Sequence, residues 1–247
     1  MQEETTFIYG KHAVREVIEA RPEIVKEVHI DPDIKEEISG RIKEQGITLR
    51  DLTGKQLPKG VDKDAVHQGY IAEIKTDKIA LSYEDFISEL VVTNDTAVVV
   101  LGEIQDPHNV GAVIRSAAAL GMSAVLIPEH RQAQITGTVV KVSAGAAFRI
   151  PLVSIGNVNN ALRDLKEKGF WTYGLTGAGD TKLSEEGFEK PSCFVVGNEA
   201  GGIREKTLEH CDIALTIPIT GHTESLNASV AAGIAFYAWS AKHPFTD

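Results

Sequence analysis

Two cysteines in 247 residues, Cys193 and Cys211, are too few for a disulfide framework, and neither sits in a CxxC pair. That argues against a stapled secreted scaffold and for a reducing interior, so the expected location is cytoplasmic. The opening Met1 to Thr6 is acidic and has neither the basic nor the apolar region of a signal peptide. Long apolar runs are missing too. The longest uncharged stretch, Ser225 to Ala241, has 17 residues and holds Ser225, Asn227, Ser229 and Ser240 among many small residues. It suits a buried helix and not a membrane span. Positive charge is in short supply: 25 Lys and Arg against 35 Asp and Glu leave a net −10. Through residue 76 there are 12 basic and 15 acidic residues, and beyond it 13 and 20, so neither half is basic. A general basic field for nucleic acid is absent, and an RNA-binding surface must be a local patch. The acid-poor span from Pro107 to Leu162, with Arg115, Arg131, Lys141 and Arg149, is where it is expected.

Common cofactor and nucleophile motifs are also absent. Gly177-Ala178-Gly179-Asp180-Thr181-Lys182 begins like a dinucleotide loop but carries Lys where the third glycine should stand, which disfavours a nucleotide-dependent oxidoreductase. Gly10-Lys11 and Gly54-Lys55 lack the upstream glycine and following Ser or Thr of a phosphate-binding loop. Val142-Ser143-Ala144-Gly145 and Val153-Ser154-Ile155-Gly156 lack the leading glycine of a nucleophile elbow. The eight histidines form no HExxH, and no His/Cys cluster has metal-ligand spacing, so no metal is expected. No internal repeat or low-complexity tract is visible.

What is present is alternation of helical and strand patterns. A helix is expected over 10–20, with Ala13, Val14, Val17 and Ile18 at helical spacing, and another over 34–45; strands are expected over 25–30, 47–50 and 69–74. These make a small α/β domain over 1–76. Residues 77–95 read as a linker with one helical piece near 83–90. From residue 96 to 247, near-continuous apolar strands over 97–101, 124–127, 171–175, 193–196 and 213–217 alternate with helices, which points to a parallel sheet covered on both faces.

Three loops in that second part share one construction: an apolar strand, then Gly, Pro and carboxamide residues, then a helix whose amides point outward. They are Asp106-Pro107-His108-Asn109-Val110-Gly111-Ala112-Val113-Ile114-Arg115, Val196-Gly197-Asn198-Glu199-Ala200-Gly201-Gly202-Ile203, and Ile217 to Ala231 with Pro218, Gly221, Ser225, Leu226 and Asn227. Asn109 and Ser225 are each able to N-cap the helix that follows, with Asn227 in the first turn of the last helix. Arg115 leaves the apolar face of its helix and leans toward the loop, where its fork suits a phosphate or ribose. Gly197, Gly201 and Gly202 allow close approach of a ligand, and Glu199 adds a carboxylate to the same crevice.

In this order the three stretches resemble the SpoU branch of the SPOUT RNA methyltransferases: Asn-x-Gly-x-x-x-Arg, Gly-Asn-Glu-x-x-Gly and Ile-Pro-x-x-Gly-x-x-x-Ser-Leu-Asn-x-Ser-x-Ala all match. Tyr9-Gly10-Lys11-His12-Ala13-Val14 and Val66-His67-Gln68-Gly69 resemble the amino-terminal ribosomal-protein-like substrate-binding domain of its ribosomal-RNA guanosine 2′-O-methyltransferase members. The resemblance implies an α/β fold whose parallel sheet carries a deep trefoil knot, preceded by that small domain. It also implies a homodimer that uses S-adenosylmethionine to methylate a ribose 2′-hydroxyl of RNA, most readily a guanosine of 23S rRNA. The alternatives are a tRNA methyltransferase or a non-catalytic ribosome-assembly factor. By resemblance Asn109, Arg115, Glu199, Ser225 and Asn227 fall on catalytic positions. Thr176, Gly177, Gly197, Ile217, Ser225, Leu226 and Asn227 fall in the cofactor-pocket loops. Arg115 is cast either as general base or as phosphate clamp. Phe148, after Gly-Ala-Ala, and Ala238, after Tyr237, stand where relatives often carry an acid.

Overall fold

The computed structural model describes residues 4–52, 57–59, 61 and 65–243, the side chains of residues 36 and 37 excepted. Gly54-Lys55 and the first three residues of the opening segment lie outside the described residues. Two compact units emerge: residues 1–80 with 134–149, and residues 81–133 with 150–247.

The first unit is built on a four-stranded sheet. Its elements are β1 (Thr5–Tyr9), α1 (Lys11–Ala20), β2 (Val25–Ile30), α2 (Glu36–Glu44), β3 (Thr48–Asp51) and β4 (Tyr70–Lys75), with the strands ordered β1-β4-β2-β3. β4 runs antiparallel to β1 and β2, and β3 is parallel to β2. Ala13, Val14, Val17 and Ile18 of α1 are buried, as their helical spacing requires. β1 escapes the sequence pattern because only Ile8 of its five residues is buried. The helix later in the chain at Gly137–Val142 packs in this unit: a side chain at Gly137 would strike the carbonyl oxygen of Phe7 at 2.4 Å.

The second unit begins at Leu81, whose backbone pairs with Leu152 and Ser154. The first helix here, α3 (Tyr83–Glu89), buries Phe86 in the core, so the stretch expected as a linker is partly built into this unit. Then follow β5 (Ala97–Gly102), α4 (Pro107–Ala119), β6 (Ala124–Pro128), the first-unit helix α5 (Gly137–Val142), β7 (Leu152–Ile155), α6 (Val158–Glu167), β8 (Trp171–Leu175), β9 (Thr181–Lys182), β10 (Ser192–Gly197), α7 (Glu205–Leu208), β11 (Ile213–Thr216) and α8 (Ala228–Ser240). The seven strands are ordered β7-β6-β5-β10-β8-β11-β9, and every pairing is parallel.

Phe86 of α3 and Ala161, Leu162 and Leu165 of α6 bury one face against Val98, Val100, Leu126, Val153 and Val195. α4 packs on α8, and Phe236 of α8 meets Phe194 of β10 edge-on at 5.8 Å. Residues 97 to 101 of β5 are wholly buried, and each such Val contributes about 1.5–3 kcal/mol. This explains why the strand reads as a continuous apolar run.

Both cysteines belong to this unit. Burial pushes the Cys193 thiol well above its ordinary value and the Cys211 thiol up to about 12, so both serve as packing groups. Phe148 is buried in the turn at Ala146–Phe148, where an acid would cost desolvation. No described helix is long and apolar enough to cross a membrane.

Candidate active site

Sequence order reverses direction at β5, with β6 and β7 on one side and β10, β8 and β11 on the other. In open parallel sheets, ligands bind outside the carboxyl ends of the strands at such a point. The three loops sit at three of those ends, after β5, β10 and β11.

The cap of the first helix differs from expectation. Asp106, not Asn109, caps α4: its carboxylate accepts the His108 N–H at 2.8 Å, and Pro107 takes the first helical position. That frees the Asn109 side chain, which is 7% exposed in the first turn. The last helix is capped by Asn227 and not by Ser225. Asn227 Oδ1 accepts the Ser229 and Val230 N–H groups at 2.9 and 3.3 Å and the Ser229 hydroxyl at 2.7 Å. With its oxygen so committed, Asn227 Nδ2 faces away and donates to Asn109 Oδ1 at 2.9 Å. Asn109 Nδ2 then donates to Glu199 Oε1 at 2.8 Å. Backbone amides at one end and a carboxylate at the other fix the sense of every amide in this chain of contacts. Three loops far apart in sequence are thereby joined at their side chains.

The middle loop is folded by a residue the sequence reasoning passed over. Asn198 Oδ1 accepts the Ala200 and Gly201 N–H groups at 2.9 and 3.3 Å, while its Nδ2 donates to the Glu103 carbonyl at 2.9 Å. An Asn directly before a Gly-rich turn is a recognised signal for this side-chain-closed geometry. Asp106 before Pro107 was an equally readable cap signal.

Beside Glu199 opens a cavity of about 580 Å³. Thr176, Gly177, Gly197, Ile217, Ser225 and Leu226 line it, as does Glu199. Asn109 and Asn227 join the wall only through Glu199, and Arg115 lies outside it on the exposed side of α4. Arg115 has no hydrogen-bond or ion-pair partner among the described residues. The two glycines have different reasons to be there. A side chain at Gly197 would meet the Gly202 carbon and Ile203 nitrogen at 2.4 Å, so the hairpin's own backbone requires glycine. At Gly177 nothing lies within 4 Å, so the space in front of it is open.

The Gly177-Ala178-Gly179 segment leads into β9 and not into a helix, and a side chain at Gly179 would strike Ala214 O at 2.5 Å. Gly179 therefore serves strand packing, and the segment lacks the helix amides a dinucleotide phosphate uses. The four expected basic residues are divided between the two units. Arg149 is bound to Glu16 and Lys141 stands over the Tyr9 ring at 5.3 Å, all within the first unit, while Arg115 and Arg131 belong to the second. Among the described residues no group of three or more His, Cys, Asp or Glu could hold a metal ion.

Residues 96–237 match the model of the SpoU rRNA methylase family, and residues 7–80 match that of the RNA 2′-O ribose methyltransferase substrate-binding family. The chain is 38% identical over 243 residues, 96% of each chain, to the 23S rRNA (guanosine-2′-O-)-methyltransferase RlmB of Xanthomonas axonopodis pv. citri. It is 35% identical to RlmB of Escherichia coli K12, over 93% of this chain and 96% of that one. Its fold is similar to that of AviRb from Streptomyces viridochromogenes, a SpoU methyltransferase solved with AdoMet, at a TM-score of 0.80. Identity there is 21%, over 97% of this chain and 90% of the other.

Proposed function

The chain belongs to the SpoU rRNA methylase family, and from that premise we propose that it transfers the methyl group of S-adenosylmethionine to the ribose 2′-hydroxyl of a guanosine in 23S rRNA. The carrying observation is the contact chain from Asn227 through Asn109 to Glu199, which brings the three family loops to one cavity. The names of relatives that the chain matches over nearly its whole length support the substrate.

The cavity fits the cofactor. It is about 580 Å³, with open space at Gly177, the apolar walls of Ile217 and Leu226, and hydroxyl and backbone groups at Thr176 and Ser225. When bound, the cofactor supplies an electrophilic methyl on sulfur. The protein aligns the ribose oxygen in line with that methyl and receives its proton. Glu199 has one oxygen held by Asn109 and the other free at the cavity, where it takes the hydroxyl's hydrogen bond. Arg115, exposed on α4 and without a hydrogen-bond or ion-pair partner among the described residues, is the clamp for the adjacent phosphate, which its planar fork suits. With the cofactor held there, its methyl would leave sulfur for the ribose oxygen that these residues align.

The finer architecture follows from the same premise: a deep trefoil knot in residues 96–247, a ribosomal-protein-like substrate domain over 1–76, residues 77–95 joining them, a homodimer and a cytoplasmic location. Val230, Ile234 and Tyr237 support the dimer. They are 50, 39 and 65% exposed at helical spacing on α8, an apolar stripe that a second copy covers. Mapping ribose methylation in 23S rRNA from cells with and without this protein tests the reading. One guanosine is expected to lose its 2′-O-methyl, and an unchanged map contradicts it.

A further inference from the structure

A second crevice, of about 730 Å³, opens at the carboxyl ends of β5, β6 and β7, on the other flank of the hairpin that carries Glu199. Ile203 and Arg204 leave that hairpin directly into its wall. We propose that this crevice holds the phosphodiester backbone of the RNA strand flanking the methylated nucleotide, with Arg131 and Lys206 as its phosphate contacts; this rests on the function proposed above.

The lining is donor-rich with few free acceptors. Asn157 spends its side-chain oxygen on the Asn160 N–H at 3.0 Å, and Asn159 spends its own on the Thr207 hydroxyl at 2.9 Å. Each keeps its NH₂ for a ligand. Asn157 also opens α6, whose first amides point outward. Arg131, Lys206 and His130 line the crevice and have no partner among the described residues. Of the two carboxylates, Glu103 is taken by Arg204 at 2.6 Å, and Glu205 stands on the wall. Three cations against two acids leave a local excess of positive charge in a chain of −10, which is the local patch that RNA capture needs here.

Backbone strain supports the assignment. Glu103 and Arg131 hold φ of 65° and 57°, a left-handed conformation that costs a bulky residue energy and that clusters at ligand clamps. Arg131 holds that conformation while its side chain makes no hydrogen bond or ion pair among the described residues. An acceptor-rich, extended polyanion satisfies all of these donors at once, and its next nucleotide reaches the cavity across the hairpin.

The test uses the full chain and a 23S rRNA transcript. Arg131→Asn/Lys206→Gln keeps a residue type that tolerates the left-handed backbone at 131 and removes both charges. Arg163→Gln/Lys168→Gln, on exposed positions toward the far end of α6, removes the same charge elsewhere. The crevice variant should bind the transcript at least about tenfold more weakly, with a salt slope reduced by roughly 1.4 for two lost phosphate contacts. Cofactor affinity by calorimetry should be unchanged and the control variant should match wild type. Unchanged RNA affinity and slope in the crevice variant, or an equal loss in the control, overturns the inference while methylation by the wild type leaves the proposed function standing. A wild-type chain that neither binds nor methylates the transcript removes both.

Discussion

Asn227 Nδ2 donates to Asn109 Oδ1 at 2.9 Å across 118 residues of sequence, and this single contact joins the cap of the last helix to the first helix of the parallel-sheet unit. Asn109 was expected as a cap and Asn227 in the first turn of the last helix, with no contact between them. Their direct contact makes Asn109 the middle of a line that ends on the Glu199 carboxylate.

Asn109→Ala should therefore cost more than one hydrogen bond. It breaks the contacts to both Asn227 and Glu199, each worth about 0.5–1.5 kcal/mol, part of which the exposed Asn227 and Glu199 side chains regain from water. Asn109→Asp sets a second carboxylate beside Glu199 and is expected to be at least as damaging. Urea denaturation of the two variants checks this; wild-type midpoints in both would mean that the line of contacts carries no stability.

The glycines of the cavity separate packing from binding. Gly197→Ala is expected to lower the unfolding midpoint, because its methyl must displace the Gly202–Ile203 backbone at 2.4 Å. Gly177→Val meets open space and should fold as wild type while weakening S-adenosylmethionine binding at least about tenfold by calorimetry. A Gly197 variant of normal stability, or a Gly177 variant of normal affinity, contradicts the division.

Much of this was legible in the sequence. The strands at Val25–Ile30 and Trp171–Leu175 fall on their expected bounds, because apolar periodicity and flanking turn residues agree there. Six of the seven expected cofactor residues line one cavity, because they stand at or just after the carboxyl ends of β8, β10 and β11. Cap identity was not legible at 225–229, where Ser, Asn and Ser are all competent and only the tertiary partner of Asn227 decides. Nor was the placement of 134–149 in the first unit, since no local pattern records which surface a short apolar helix covers. A fragment starting at residue 96 therefore lacks β1, the strand that α5 packs on.

Asp212 ties β8 and β11 to α6. Burial pushes its carboxyl up, but the hydrogen bonds from Lys166 at 2.8 Å and from the Thr172 N–H and hydroxyl at 2.9 and 2.8 Å outweigh this and hold it below its ordinary value of 3.8. A depressed carboxyl stabilises the fold above that ordinary value, and the contribution is lost as pH falls through the folded one. Asp212→Asn should be less stable than wild type at pH 7, with the gap closing below about pH 4 as Asp212 protonates. Denaturant midpoints at pH 7 and pH 3 decide; a gap that is equal at both contradicts the assignment.

Arg115→Lys should keep the fold and cofactor affinity while methyl transfer falls by at least about a hundredfold, since a point charge cannot reproduce the planar fork on a phosphate. Arg115→Ala should be as inactive and should bind RNA more weakly, with a shallower salt dependence. Near-normal single-turnover rates in Arg115→Lys would leave Arg115 an ordinary surface residue.

The most direct test gives the purified chain methyl-labelled S-adenosylmethionine and a 23S rRNA transcript in the presence of a metal chelator that leaves the RNA folded, then locates the label by nucleoside analysis. The expected result is label on the ribose 2′-oxygen of a guanosine, undiminished by the chelator. Label on a base, no transfer at all, or transfer abolished by removal of a catalytic metal would contradict a site built from Glu199, Asn109, Asn227 and Arg115.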